Sequence, residues 1–259
     1  MIITSIDNPK IKRISKIRDS KKSRRELREF LLEGLRIVSD AIAAGCARGV
    51  FVRLSDADRL KQIPAIATHN ELYVVADKVF DTISDTINSQ GVIALCDIAS
   101  KGKRSIGDKV LVLDRIRDPG NLGTILRTAA AADYMTVYCI NCTDPYNPKS
   151  VRSSMGGVLY LDIIESDCNI IQEIRTGGYT VVAADTDGKN IFDDGLVLGS
   201  KICLVLGSES NGIDEVILDK AEHIVSIPMR RGESLNVAVS AGILMYCLGG
   251  SKRPLSSNL

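Results

Sequence analysis

Residues 110–132 read VLVLDRIRDPGNLGTILRTAAAA. The unbroken apolar run Val110 to Leu113 is what a strand covered on both faces requires. Asp118-Pro119-Gly120 supplies turn chemistry. Asn121 can cap a helix, and an alanine-rich helix then runs to Ala132. Strand, turn and helix in this order predict a unit of a parallel sheet. The pattern repeats downstream, with strands expected at 135–140, 179–184, 202–206 and 224–227. Helices are expected near 150–157, 170–175, 213–220 and 236–248. The C-terminal part therefore reads as α/β, a mostly parallel sheet with helices on both faces.

Upstream, residues 8–28 form a helix candidate with Ile11, Ile14 and Ile17 on one side. A short strand at Phe30–Leu32 precedes Gly34 and a helix carrying Ile37, Val38, Ala41 and Ile42. Further strands are expected at 50–53, 72–76 and 92–95, which makes a small α/β domain. The polar stretch Ser100-Lys101-Gly102-Lys103-Arg104-Ser105 is the linker candidate. The expected domains are 1–99 and 106–259.

The formal net charge is +1, so bulk charge names no partner. Its distribution is more informative. Asn8 to Arg28 holds ten basic residues against Asp19 and Glu26, a net +8. Lys10, Lys12, Arg13, Lys21, Lys22, Arg24 and Arg25 are candidates to meet nucleic-acid phosphates. The competing reading is a solvated helix face. The N-terminus lacks a signal-peptide layout, and no apolar run is long enough to span a bilayer. A cytoplasmic location without membrane contact is the expectation. Seven scattered cysteines agree with a reducing compartment. Cys139 and Cys142 form a lone CxxC, and with two histidines in the chain no metal site is expected.

In open parallel sheets, ligands bind beyond the carboxyl ends of the strands. Three loops there carry unusual residues. The first is 114–127, where Arg127 follows Asn121 by six positions and can present a planar, permanently charged fork. The second is 204–213, LVLGSESNGI, in which glycines allow close backbone approach. It is neither GxGxxG nor a P-loop. The third is 227–242, IPMRRGESLNVAVSAG, with Ser234 and Asn236 at a helix start. Each loop alone reads as ordinary turn and capping chemistry. All three, in this order on one sheet, do not.

Together they resemble the three motifs of the SpoU (TrmH-like) RNA ribose methyltransferases. Asn121–Arg127 is similar to the first motif, Leu206–Gly212 to the second, and Ile227–Met229 with Ser234–Gly242 to the third. Val151–Gly157 adds to the match. Thr4–Lys10, Arg24-Arg25, Phe30–Gly34 and Gln90-Gly91 resemble the family's small substrate-binding extension, so the resemblance covers nearly the whole chain.

The resemblance implies a trefoil knot at the C-terminal end, S-adenosyl-L-methionine as cofactor, and a homodimer with its site near the interface. It implies a cofactor shell of Leu206, Gly207, Glu209, Gly212, Ile227, Met229, Ser234, Leu235 and Ala238. It implies a catalytic set of Asn121, Arg127, Glu209, Ser234 and Asn236. Ribosomal RNA, 23S in particular, is the expected substrate ahead of tRNA, because the extension looks like that of ribosomal modifiers. A catalytically silent RNA-binding module is the alternative from another class. A dehydrogenase is disfavoured, since no glycine fingerprint follows Val110–Leu113.

A ribose hydroxyl is a poor nucleophile until it begins to lose its proton. No histidine falls in the motifs. Arg127 either surrenders a proton transiently or clamps a phosphate and polarises the hydroxyl. The second role suits a guanidinium better.

Overall fold

The structure, a computed structural model, describes residues 2–98, 106–193, 196, 198–232 and 234–249. The linker candidate at 100–105 lies outside the described residues. The chain divides into two compact units, Met1–Gly102 with Tyr146–Leu159, and Lys103–Pro145 with Tyr160–Leu259. Tyr146–Leu159, which the sequence reading grouped with the C-terminal domain, packs in the first unit.

In the first unit, β1 (Ile2–Ile3) is followed by α1 (Pro9–Asp19) and α2 (Lys21–Leu27). Asn8 caps α1 by accepting from the Lys10 amide at 2.9 Å. The basic segment is two helices rather than the single one expected. Ser20 ends the first in extended backbone, and its hydroxyl accepts from the Ser23 amide to start the second. Next come β2 (Glu29–Glu33), α3 (Leu35–Ala43), β3 (Ala47–Arg53), α4 (Ala57–Leu60), α5 (Pro64–Ala67), β4 (Leu72–Val75), α6 (Asp77–Asp81) and β5 (Val92–Asp97). The five strands form one sheet in the order β1-β4-β3-β5-β2. β5 runs antiparallel to both neighbours, and the other pairings are parallel. Ile11, Ile14 and Ile17 are buried against Phe51, Val75, Phe80 and Ile93, as their spacing predicts.

The second unit starts with β6 (Lys109–Asp114), α7 (Pro119–Ala131) and β7 (Thr136–Ile140). α8 (Pro148–Ser153) belongs to the first unit and is capped by Asn147. It is shorter than the expected 150–157, because Met155 and Gly156 take left-handed backbone. Then follow β8 (Asp162–Ser166), α9 (Ile170–Thr176), β9 (Thr180–Asn190), β10 (Ile202–Leu206), α10 (Glu215–Leu218), β11 (His223–Ser226) and α11 (Val237–Leu248). The strand order is β11-β9-β10-β6-β7-β8 and every pairing is parallel. The sequence pattern marks no strand at β8, since its DIIES is half-buried, with Ile164 and Glu165 exposed, and lacks a continuous apolar run. The chain builds outward from β6 through β7 and β8, then crosses over to β9. β6 and β10 are therefore neighbours at the switch point, where such sheets open a crevice. Val110, Val112, Val181, Cys203 and Val205 fill the core between this sheet and its helices.

Candidate active site

The first loop leaves β6 and enters α7. Asp118, not Asn121, caps that helix, its carboxylate accepting from the Asn121 amide at 2.8 Å with Pro119 in the first turn. This corrects the sequence reading and has a consequence for chemistry, because the Asn121 side chain is not engaged in capping. Its amide nitrogen donates to Glu209 Oε1. Its carbonyl oxygen accepts from Asn236 Nδ2 at 3.0 Å. Asn236 in turn caps α11, its own carbonyl accepting from the Ala238 and Val239 amides at 2.9 and 3.4 Å. The capping role and the bridging role of Asn236 coexist, one on each end of its amide. Glu209, Asn121 and Asn236 thus form a continuous hydrogen-bonded chain through all three loops.

The second loop folds back on itself. The Ser208 and Gly212 backbones exchange hydrogen bonds at 3.1 and 3.0 Å. A Cβ on Gly207 would overlap the Gly212 carbonyl, so only glycine closes this turn. Gly212 has φ of 60°, the left-handed region glycine favours.

Beside this chain lies a cleft of about 260 Å³. Its apolar walls include Leu206, Ile227, Met229 and Leu235, and Gly207, Glu209, Gly212 and Ser234 also line it. Ala238, expected in the same shell, is outside the lining. It is buried, and its amide supports the Asn236 cap. Asp185 and Thr186 line the cleft from the middle of β9, which runs past the expected 179–184, and sequence reasoning misses them. The signal was available, because Asp185-Thr-Asp-Gly188 follows an expected strand exactly where such sheets bind ligands.

Carboxylates Asp185 and Glu209 belong to the lining, and among the described residues no lysine or arginine does. Apolar walls that can take an adenine, a folded glycine loop and an acidic lining without basic groups suit a nucleoside carrying a positive sulfonium.

Arg127 stands apart from this cluster. It is exposed on α7, its side chain makes no hydrogen bond or ion pair among the described residues, and it is not in the cleft lining.

The basic candidates divide. Arg24 is 5% exposed, and its guanidinium donates to the Ile17 and Arg18 carbonyls at 2.6 and 2.8 Å. It closes the end of α1, so its place among RNA contacts is withdrawn. Arg13 makes a bidentate pair with the buried Glu29, at 2.8 and 2.6 Å. Lys10 lies 4.2 Å from the Tyr73 ring centre, Lys12 pairs with Asp7 at 2.8 Å, and Lys22 pairs loosely with Glu26. Lys12, Lys21, Lys22 and Arg25 are exposed.

The model of the SpoU rRNA Methylase family matches residues 108–246, more than half of the chain and all three loops. The chain belongs to the SpoU rRNA methylase family. As a SpoU member it is an S-adenosylmethionine-dependent RNA 2′-O-methyltransferase. Residues 8–94 match the MRM3-like substrate binding domain. The 23S rRNA (guanosine(2553)-2′-O)-methyltransferase RlmP of Bacillus subtilis is 29% identical over 252 residues, covering 96% of this chain and 99% of its own. An uncharacterized tRNA/rRNA methyltransferase of Synechocystis is 31% identical over 258 residues, covering 94% and 92%. Among solved structures, the AdoMet-bound rRNA methyltransferase from Sinorhizobium meliloti superimposes with a TM-score of 0.79 at 28% identity, covering 95% of this chain and 96% of that one.

Among the described residues, no helix is long and apolar enough to cross a membrane.

Proposed function

We propose that this chain methylates a ribose 2′-hydroxyl of 23S ribosomal RNA. The observation that carries the reading is the Glu209–Asn121–Asn236 chain, which ties the three family loops together beside an acidic, apolar-walled cleft. The two-unit match supports the ribosomal substrate, since RlmP shares both units over nearly its full length.

The chemistry supplied by bound S-adenosylmethionine is an electrophilic methyl group on a positively charged sulfur. Leu206, Ile227, Met229 and Leu235 would hold its adenosine portion against water, with Gly207 and Gly212 allowing close backbone approach. Asn121 is locked by its two partners and offers a fixed polar group to the target ribose, the positioning from which much of a rate enhancement comes. Arg127 keeps its donors available for the RNA phosphate and polarises the hydroxyl without serving as the base. The proton leaves to water. Ser234 orients the third loop at the cleft wall.

Lys12, Lys21, Lys22 and Arg25 grip backbone phosphates, which gives affinity with little sequence choice. The chain works as a homodimer in the cytoplasm. Its α11 is apolar on nearly every side, yet Val239 and Tyr246 are 51% and 58% exposed, as expected of a helix that meets a second copy. The cleft lies beside that interface, and the segment of the third loop and α11 forms a trefoil knot, as the family match supports.

The test is transfer of labelled methyl to purified 23S rRNA and to bulk tRNA, followed by alkaline hydrolysis. A 2′-O-methyl leaves its adjoining phosphodiester uncut. Label in an alkali-resistant dinucleotide from 23S rRNA supports the proposal. Label in tRNA alone moves the substrate, and label released as a base-methylated nucleotide contradicts the chemistry.

A further inference from the structure

The geometry points to Asp114 as a positioning residue that fixes the second loop of the site, acting through the backbone amide of Asp214. The inference rests on that loop being part of the cofactor site. Asp114 is the last residue of β6 and is only 1% exposed. In the register of β6 with β10, Leu113 faces Leu206, so strand pairing stops one residue before Asp114. On the β10 side, Gly207 begins the loop at that level.

The Asp114 side chain continues the connection where the backbone ladder ends. Its Oδ2 accepts from the Asp214 amide at 2.9 Å, across 100 residues of sequence. Asp214 is the exit of the loop, since its own carboxylate caps α10 by accepting from the Val216 amide at 3.1 Å. The segment 207–213 is therefore clamped at its entry by β10 pairing with β6 and at its exit by Asp114. Between the clamps it carries Gly207, Glu209 and Gly212.

Arg115 completes the arrangement. Its backbone is left-handed, with φ of 58°, strain that a non-glycine residue keeps only when its surroundings hold it. Its guanidinium folds back to Asp114 at 3.1 Å and reaches the Asp214 carboxylate at 3.4 Å. A buried carboxylate without such partners is costly. Asp114 is not part of the cleft lining, and its hydrogen bonds run to Asp214 and Arg115 rather than to Asn121. Its effect passes along the loop to Glu209, which holds Asn121.

The essential feature is an acceptor oxygen at the right reach, not the charge. Three variants separate these. Asp114→Asn keeps an oxygen at the same distance without charge. Asp114→Glu keeps the charge with a longer arm. Asp114→Ala removes both. The measurement is the Kd of the full chain for S-adenosylmethionine by calorimetry, with the Kd for 23S rRNA and hydrogen exchange at amides 208–214 alongside.

The expected order of cofactor affinity is wild type close to Asn, then Glu, then Ala. Glu is expected to be weakened by about tenfold or more. RNA affinity stays within about twofold in all three, and faster exchange is confined to 208–214. The Asn and Glu pair decides the matter even if Asp114→Ala fails to fold. An order in which Glu matches wild type and Asn is weak overturns the proposal. So does unchanged cofactor affinity in Asp114→Glu. A wild-type chain that does not bind the cofactor contradicts the reading of the site itself, a result distinct from either of these.

Discussion

Asn236 donates to the Asn121 carbonyl at 3.0 Å, joining two side chains 115 residues apart in sequence. Because Asn121 also donates to Glu209, its orientation is set from both sides. Asn121→Asp is nearly isosteric, but it removes the donor and places a carboxylate against Glu209. Methyl transfer is expected to fall by about 100-fold, the scale of a small misplacement at a reacting centre. Melting temperature should move little. Steady-state kinetics beside a thermal melt checks this, and an active Asn121→Asp enzyme would exclude the chain of hydrogen bonds from catalysis.

Asn236 has two roles that substitution can separate. Asn236→Asp keeps the oxygen that caps α11 but loses the donor to Asn121. Asn236→Ala loses both. The alanine variant should be less stable by about 1 kcal/mol, the usual value of a helix cap. The aspartate variant should melt near wild type while both lose activity. Equal stability of the two variants would mean that the cap contributes nothing.

Arg127 is exposed on α7 and free of partners among the described residues. Arg127→Lys keeps a charge and loses the fork, so transfer should drop sharply while calorimetric affinity for S-adenosylmethionine is retained. Simultaneous loss of cofactor binding would move Arg127 into the cofactor site.

Much of this was legible in the sequence because the relevant signals are local. The apolar run at 110–113 marked β6, and the glycines at 207 and 212 marked a loop that must approach closely. The Ile11, Ile14 and Ile17 stripe marked a helix face. What stayed hidden depends on contacts between distant segments. Asn121 reads as a cap, and only the fold shows Asp118 taking that role and leaving Asn121 for Glu209 and Asn236. Arg24 reads as one more surface cation. Its burial depends on Ser20 breaking the basic segment in two and folding α2 back on the end of α1. β8 carries no strong apolar pattern, and its strand character comes from pairing with β7.

The division among the cations gives a direct contrast. Arg24→Ala removes two charge-assisted hydrogen bonds and should cost about 2 kcal/mol in a denaturant melt. Lys22 is exposed and pairs only loosely with Glu26, so Lys22→Ala should leave the melt nearly unchanged. Its loss should weaken RNA binding and reduce the salt slope by roughly 0.7–0.9. A reversed pattern would put Arg24 on the RNA.

The cysteines differ in reactivity for identifiable reasons. A hydrogen bond from Cys139 lowers the Cys142 thiol below its ordinary value, whereas burial pushes Cys203 up. Cys142 should therefore alkylate at lower pH than an ordinary thiol, and Cys203 only on unfolding. Peptide mass mapping after iodoacetamide treatment at stepped pH reads this. Labelling of Cys203 in the native chain would contradict its burial.

The most direct measurement of the central claim is mass-spectrometric mapping of ribose methylation on ribosomal RNA from cells with and without this chain. One 2′-O-methylated nucleotide in 23S rRNA should vanish when the chain is removed and return with the wild-type sequence, but not with Asn121→Asp. An unchanged map, or loss of a base methylation instead, would contradict the assignment.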